Sequence, residues 1–115
     1  MPIHHWDEIP LEQMNPNFAR KVIHTERMTI ARVMLAKGSV VPRHSHENEQ
    51  VTVLEAGRLR FQFDDGEAEI AAGEVMQIPP NAPHLVEALE DSVAYDLFAP
   101  VRADWIRGDD GYLRK

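Results

Sequence analysis

Polar and apolar side chains alternate strictly over residues 58–63, Arg-Leu-Arg-Phe-Gln-Phe, and this segment restricts the fold more than any other. Successive side chains of a β-strand point to opposite faces, so the segment predicts a strand with one face against a core. The Asp64-Asp65-Gly66 sequence that follows is typical of a tight hairpin turn, because Asp-Gly tolerates positive φ angles. Residues 67–71 are therefore expected to return as the second strand of a hairpin.

Comparable segments recur along the chain and predict an all-β fold. They are β-branched or apolar stretches separated by Gly, Pro, Asn or Asp, and they cover residues 18–24, 28–35, 40–54, 75–78, 84–89 and 92–98. About ten short strands with turns every 8–12 residues are typical of a sandwich or a barrel. The only segments with helical character are residues 11–14 and 103–105. At 115 residues, the chain is expected to form a single domain over residues 1–115.

Composition excludes several classes of function. The chain has no cysteine, which rules out disulfides and thiolate metal sites and is compatible with a reducing cytoplasm. No apolar segment reaches the roughly 18 residues of a membrane helix, and no signal peptide is evident. A formal net charge of −7 without a basic cluster argues against nucleic acid as a partner. We therefore expect a cytoplasmic protein that binds neither membranes nor nucleic acid.

A histidine-rich stretch predicts a metal site. His44, His46 and Gln50 have the same parity, so on a strand they would face the same way. Neutral imidazole is the commonest protein ligand for transition metals, and His84 follows a proline-rich turn on a separate segment. The bare His-x-His pair is weak evidence by itself. By contrast, nothing ligand-like follows His4-His5 or His24 at even spacing, so these are interpreted as ordinary surface or packing residues.

The spacing around these residues resembles both motifs of the cupin superfamily. The first motif matches residues 38–57 and the second residues 73–88, through Gly38, His44, His46, Gln50, Gly57, Gly73, Pro79, Asn81 and His84. The resemblance implies a single-domain jelly-roll β-barrel that can enclose a ligand cavity. Three positions depart from the motifs: Asn81 replaces a glycine, Ala88 an asparagine, and Gln50 the acidic ligand. Asn tolerates left-handed backbone well, so the turn at residue 81 is expected to survive.

The C-terminal part carries a narrower resemblance. Asp96 lies in a strand where an apolar residue would be expected, so it is either exposed, paired or used. The pattern Asp96-x-Phe98-x3-Arg102, followed by Asp104-Trp105, is similar to that of the KdgF-type pectin degradation proteins. These cupins convert unsaturated monouronates into linear keto-deoxy sugars.

The resemblance implies metal ligation by four residues, His44, His46, Gln50 and His84. It also implies active-site roles for Asp96, Phe98 and Arg102. The ligands carry no formal charge, so the expected cofactor is one divalent ion among Ni, Zn, Fe and Mn. Asp96 would transfer protons, Arg102 would bind the substrate carboxylate with its planar fork, and Phe98 would pack on the sugar ring.

Other interpretations of the sequence stay open at this point. The cupin barrel serves many functions, so the alternatives are another metal-dependent enzyme, such as a dioxygenase or a sugar isomerase, and a non-catalytic sugar- or metabolite-binding protein. A degenerate barrel with an empty pocket is a further alternative. The expected partner is a small anionic sugar, an unsaturated uronate, and a homodimer is plausible because small cupins often pair.

Overall fold

Ten β-strands build nearly the whole chain. The computed structural model describes all residues, 1–115. The strands are β1 (Glu12–Asn15), β2 (Phe18–His24), β3 (Thr29–Leu35), β4 (Val40–His44), β5 (Glu49–Ala56), β6 (Arg58–Phe63), β7 (Gly66–Ala71), β8 (Val75–Ile78), β9 (His84–Ala88) and β10 (Ser92–Ala99). One α-helix, α1 (Ala103–Arg107), follows them, and short 3-10 helices cover Trp6–Glu8 and Gly111–Leu113. The longest helix has five residues, so none could cross a membrane.

The strands form two antiparallel sheets that face each other as a jelly-roll barrel. The larger sheet has the order β1-β2-β3-β10-β5-β8, and the smaller one has the order β4-β9-β6-β7. The predicted hairpin is confirmed, since Arg58 pairs with Ala71 and Phe63 with Gly66. The all-β prediction is likewise confirmed.

Alternation along each strand separates the core from the surface. In β3, buried and partly exposed residues alternate over the full length from Thr29 to Leu35. The buried apolar side chains of both sheets meet inside the barrel in one cluster: Met14, Phe18, Ala31, Val33, Leu35, Val41, Leu54, Leu59, Phe61, Ile70, Ile78, Val86, Ala88, Ala94, Phe98 and Leu113. Burial of apolar area of this kind is the dominant stabilising term in folding.

Two expectations about local structure are corrected. Residues 11–14, which had helical character in the sequence, belong mostly to β1, because Glu12 and Gln13 pair with β2. The histidine-rich stretch is not one continuous strand. β4 ends at His44 and β5 begins at Glu49, in the other sheet, so the four residues 45–48 form a corner between the sheets. The helical character of residues 103–105 is confirmed by α1.

Two turns need the residues that occupy them. Gly57 has φ +92°, and a Cβ there would lie 2.3 Å from Ser92 Oγ and 2.4 Å from the carbonyl oxygen of Asp91. Asn81 has φ 65°, which confirms the left-handed turn expected from its place in the motif. The backbone N–H of Asn81 donates to the carbonyl oxygen of His46 at 2.8 Å, so this turn supports the corner between the sheets.

Candidate metal centre

Three histidine side chains meet beside the barrel cavity. β4 and β9 pair in a register that sets His44 opposite His84, and the corner after β4 brings His46 alongside them. The ring centroid of His84 lies 4.3 Å from that of His44 and 5.3 Å from that of His46. One ligand nitrogen from each ring lies within 4.8 Å of the others. The three residues could therefore share one metal ion.

The hydrogen bonds of His44 and His84 leave one nitrogen of each ring available. Nδ1 of His44 donates to the carbonyl oxygen of Pro42 at 2.7 Å, and Nδ1 of His84 donates to that of Ala82 at 2.8 Å. Because a carbonyl oxygen only accepts, Nδ1 carries the hydrogen and Nε2 keeps its lone pair. Backbone carbonyls hold metal-ligating histidines in the same way.

Nδ1 of His46 likewise lies 3.0 Å from a backbone carbonyl oxygen, that of Asn48, and a hydrogen on Nδ1 would leave Nε2 free to bind a metal. Burial lowers the pKa of His44 to about 4 and, together with the charge of Arg102, that of His46 to about 4. Burial also lowers the pKa of His84. All three imidazoles are therefore neutral at pH 7, which is the form that binds metals.

Gln50 directs its amide oxygen at the histidines. Oε1 lies 3.1 Å from Nε2 of His46, while Nε2 of Gln50 donates to Thr52 Oγ1 at 3.0 Å and to Asp96 Oδ1 at 3.4 Å. A reversed amide would turn its oxygen toward the Asp96 carboxylate, so these two partners fix the orientation. The donor set of three Nε2 atoms and one amide oxygen fits a divalent transition metal. Glu49, the neighbouring acid, is exposed.

Asp96 lies on β10 behind Gln50 and lines the cavity. Its Oδ1 accepts hydrogen bonds from Thr52 Oγ1 at 2.6 Å and from Gln50, whereas Oδ2 makes no hydrogen bond. Burial raises the pKa of Asp96 to about 6, although both hydrogen bonds and the charge of Arg102 act in the opposite direction. A carboxyl group with a free oxygen and a pKa near neutrality can both accept and donate a proton.

Arg102 is 1% exposed and lines the same cavity. Its Nε and Nη2 donate to the two oxygens of Asp104, at 3.0 and 2.7 Å. Nη2 also donates to Tyr112 Oη at 2.8 Å. The forked edge of Arg102, which was expected to bind a substrate carboxylate, is therefore engaged by Asp104. Nη1 is the end of the guanidinium without a protein acceptor.

Aromatic rings hold this arginine in place. The guanidinium carbon of Arg102 lies 4.7 Å from the ring centroid of Phe98 and 4.4 Å from that of Trp105. Phe98 is 2% exposed, and its ring meets that of His46 edge-on at 5.5 Å. The guanidinium carbon of Arg20 lies 4.2 Å from the ring centroid of Trp105, so the guanidinium groups of Arg20 and Arg102 both contact this indole. Such cation–π contacts orient Arg102 between the histidine cluster and the C-terminal segment.

The cavity is small. Counted as the space open to the centre of a water molecule, its volume is about 50 Å³. Twelve of its 18 lining residues are hydrophobic, Tyr112 among them, and the other six are His44, His84, Gln50, Thr52, Asp96 and Arg102. Residues of the C-terminal segment, Trp105, Tyr112 and Leu113, form part of the wall. A few waters fit this space.

The structure brings all seven predicted site residues together and adds others that the sequence analysis did not identify. Thr52 shares the parity of Gln50, so its inward direction was available as a signal. Asn48 is 2% exposed and donates from Nδ2 to the carbonyl oxygen of Pro100 at 2.6 Å, which ties the corner to the segment before α1. No sequence signal pointed to Tyr112, because its position depends on how the C-terminal segment folds back. The three other histidines, at positions 4, 5 and 24, are exposed, as expected.

Comparison with known proteins supports this description. The cupin domain family model matches residues 31–98, which is more than half of the chain. The structure of KdgF from a Halomonas species is 28% identical, covers 86% of this chain and 94% of its own, and superposes with a TM-score of 0.79. An RmlC-like cupin from Shewanella frigidimarina is 19% identical, with coverage of 90% and 94% and a TM-score of 0.83.

A mutant of Bacillus subtilis oxalate decarboxylase is 15% identical and covers 83% of this chain and 28% of its own, with a TM-score of 0.72. At such identities the last two likenesses concern the fold alone. No protein of curated function matches the sequence. The family match and the histidine-lined barrel together make this chain a member of the cupin family.

Proposed function

We propose that this cupin is a metal-dependent enzyme that opens the ring of 4,5-unsaturated monouronates, released by polysaccharide breakdown, to give linear 4-deoxy-5-keto-uronates. One observation carries the proposal. The amide oxygen of Gln50 faces the histidines, and its amide nitrogen donates to Asp96. One side chain thus couples a candidate metal site to a candidate proton-transfer group. The likeness to KdgF from Halomonas supports it.

His44, His46, Gln50 and His84 would hold the divalent ion. When bound, it supplies Lewis acidity toward the oxygens of the substrate. The ligands are neutral and accept several ions, so Ni, Zn, Fe and Mn are all compatible with this set. The Nδ1–carbonyl hydrogen bonds keep the rings oriented for this task.

Asp96 is assigned the proton transfer. The substrate is a cyclic hemiacetal whose ring oxygen belongs to an enol ether conjugated to a carboxylate. Removal of the proton from the anomeric hydroxyl forms the C1 carbonyl as the bond from C1 to the ring oxygen breaks. The ring oxygen leaves as an enolate, and a proton delivered to its carbon end gives the ketone. Oδ2 of Asp96 is free to take the first proton and return it, because Oδ1 is already held by Thr52.

Arg102 and Phe98 are assigned the binding of the sugar acid. The charge of Arg102 favours a carboxylate, and its Nη1 has no protein acceptor. Phe98 would offer an apolar wall to the sugar ring and exclude water from the proton transfers. The cavity that would receive the sugar is lined in part by the C-terminal residues Trp105, Tyr112 and Leu113.

The experiment mixes metal-loaded protein with unsaturated galacturonate and follows the product by NMR. The expected result is loss of the vinylic proton and appearance of the linear 5-keto acid, without oxygen uptake. Oxygen uptake would favour the dioxygenase alternative. Binding without any change in the substrate would favour the non-catalytic alternative. Metal analysis of the same sample identifies the ion that the protein retains.

We further propose that two copies pair through the outer face of the larger sheet. Four partly exposed apolar residues lie side by side across its strands in paired register, namely Ile23, Ile30, Leu97 and Val51. Light scattering should give the mass of a dimer, and Leu97→Lys should give a monomer. A wild-type monomer would refute this pairing. The cytoplasmic location stays a prediction from the sequence.

A further inference from the structure

We propose that Tyr112 is a specificity-determining residue: its hydroxyl joins Nη1 of Arg102 in a subsite that binds a carboxylate and so selects sugar acids over neutral sugars. That the sugar is a uronate rests on the proposed function. The subsite itself rests on the geometry around Tyr112.

Tyr112 lies between the metal centre and Arg102. It belongs to the 3-10 helix Gly111–Leu113, its ring centroid lies 5.1 Å from that of His44, and it lines the cavity. Its hydroxyl oxygen accepts a hydrogen bond from Nη2 of Arg102 at 2.8 Å. A molecule held near the histidines would therefore meet this hydroxyl.

The hydrogens of Arg102 show why a second donor is needed. A guanidinium has five N–H groups. The Nε hydrogen and one on Nη2 go to Asp104, and the other Nη2 hydrogen goes to Tyr112. Only the two on Nη1 have no acceptor, so Arg102 by itself offers a carboxylate one nitrogen rather than a two-nitrogen fork.

The hydroxyl of Tyr112 supplies the missing donor. Because its oxygen accepts from Arg102, its hydrogen is directed elsewhere, and no protein acceptor takes it. Nη1 of Arg102 and the hydroxyl of Tyr112 can thus each donate to one oxygen of the same carboxylate. Asp104 already offsets part of the charge of Arg102, so geometry and a second donor matter more than charge alone.

Buried residues on either side of Tyr112 in the sequence hold it in this place. Asp110, two residues earlier, is 3% exposed and forms an ion pair with the buried Arg20. Leu113, the next residue, is 6% exposed and belongs to the core cluster. A merely exposed terminal tyrosine would have neither anchor. The hydroxyl is therefore positioned before any ligand binds, which reduces the entropy lost on binding.

The test compares the binding of D-galacturonate and D-galactose to metal-loaded protein by calorimetry. Wild type should bind the acid more tightly than the neutral sugar. Tyr112→Phe keeps the ring against His44 and removes only the hydroxyl, so the Kd for galacturonate should rise about tenfold, as loss of one hydrogen bond to a charged group predicts. The Kd for galactose should not change. The matched control is Tyr95→Phe, which removes a hydroxyl that accepts from Arg32 at 3.2 Å on the outer face of the sheet.

An unchanged Kd for galacturonate in Tyr112→Phe would overturn the inference, as would equal affinity of wild type for the two sugars or no binding of either. Equal thermal stability of the two variants guards against a folding artefact. Turnover of unsaturated galacturonate is a separate readout. Wild type that lacks turnover but keeps a Tyr112-dependent preference for the acid would refute the ring-opening proposal and support the subsite.

Discussion

Oε1 of Gln50 lies 3.1 Å from Nε2 of His46, and the neutral ring of His46 cannot donate to both of the oxygens that face it. With the hydrogen of His46 on Nδ1, two acceptors face each other. With the hydrogen on Nε2, Nδ1 would instead face the carbonyl oxygen of Asn48. Either tautomer of the neutral ring thus leaves one repulsive contact. Burial, with a pKa of about 4, disfavours the imidazolium that would satisfy both. A metal cation bound by Nε2 and Oε1 would remove this conflict.

We predict that His84→Ala loses the metal. The substitution removes the one histidine that β9 contributes. The three remaining candidate ligands, His44, His46 and Gln50, should bind a divalent ion more weakly than all four together. Metal content per chain, measured after dialysis against a weak chelator, should fall severalfold. His4→Ala is the control because His4 is exposed and distant in sequence from the site. Equal metal content in both variants would contradict the assignment of His84.

Gln50→Glu should destabilise the metal-free protein. The new carboxylate would replace an amide nitrogen that lies 3.4 Å from Oδ1 of Asp96, and two carboxylates so close repel each other unless one binds a proton. The Tm of the metal-free variant should therefore fall below that of metal-free wild type. Saturating Zn²⁺ should narrow the difference, because a cation offsets the added charge. Equal Tm values without metal would show that Gln50 does not lie against Asp96 as described.

Gly57→Ala should cost about 3 kcal/mol of unfolding free energy, and Gly73→Ala only about 1 kcal/mol. Both glycines have φ +92°, so both substitutions meet the same backbone strain. Only at Gly57 would the new Cβ collide with Ser92 and the backbone of Asp91, since nothing lies within 4 Å at Gly73. Urea unfolding of the two variants measures the difference. Equal losses would mean that the turn at Gly57 is not packed as described.

Asp110→Asn should lower stability at pH 7 by about 2 kcal/mol, a typical value for hydrogen bonds to charged groups. Burial alone would raise the pKa of Asp110, but Arg20 and Arg114 outweigh it and hold the pKa below its usual value. Because the pKa of Asp110 is lower in the folded than in the unfolded protein, its ionised carboxylate stabilises the fold at pH values above the ordinary Asp pKa of about 3.9. This stabilisation is lost as the pH falls through the pKa of the folded protein.

The stability difference between wild type and Asp110→Asn should therefore be full at pH 7 and shrink below about pH 4. Urea unfolding at pH 7 and pH 3 gives the two values. A difference that stayed constant, or grew, at pH 3 would show that the charge of Asp110 is not what stabilises the C-terminal segment.

Local patterning was sufficient to predict much of the barrel. The alternation from Arg58 to Phe63 and the Asp-Gly turn predict the β6–β7 hairpin correctly, because register and turn type depend on neighbours in sequence. The parity argument for His44 and His46 assumed one strand, and it failed because the chain changes sheets at residues 45–48. The rings converge through the pairing of β4 with β9 instead, which is a long-range contact.

The candidate site likewise depends on contacts between residues that are distant in the sequence. The pairing of β10 with β5 sets Asp96 opposite Thr52 and Phe98 opposite Gln50, so residues more than 40 positions apart share one wall. The motif spacing located these side chains, but it could not reveal that Asp104 occupies the fork of Arg102. No local sequence pattern could predict that Tyr112 lines the cavity, because its position depends on the long-range ion pair between Asp110 and Arg20.

Proton transfer by Asp96 is tested by the rate at which metal-loaded protein removes the enol-ether absorbance of unsaturated galacturonate. The rate is measured side by side for wild type and Asp96→Asn. Asn keeps the shape of the side chain and can still accept from Thr52 and Gln50, but it cannot carry the proton. We predict turnover by wild type and a rate at least about 100-fold lower for Asp96→Asn at equal metal content. Turnover by Asp96→Asn at the wild-type rate would contradict the proton transfer by Asp96. Absence of turnover by wild type would contradict the ring-opening proposal.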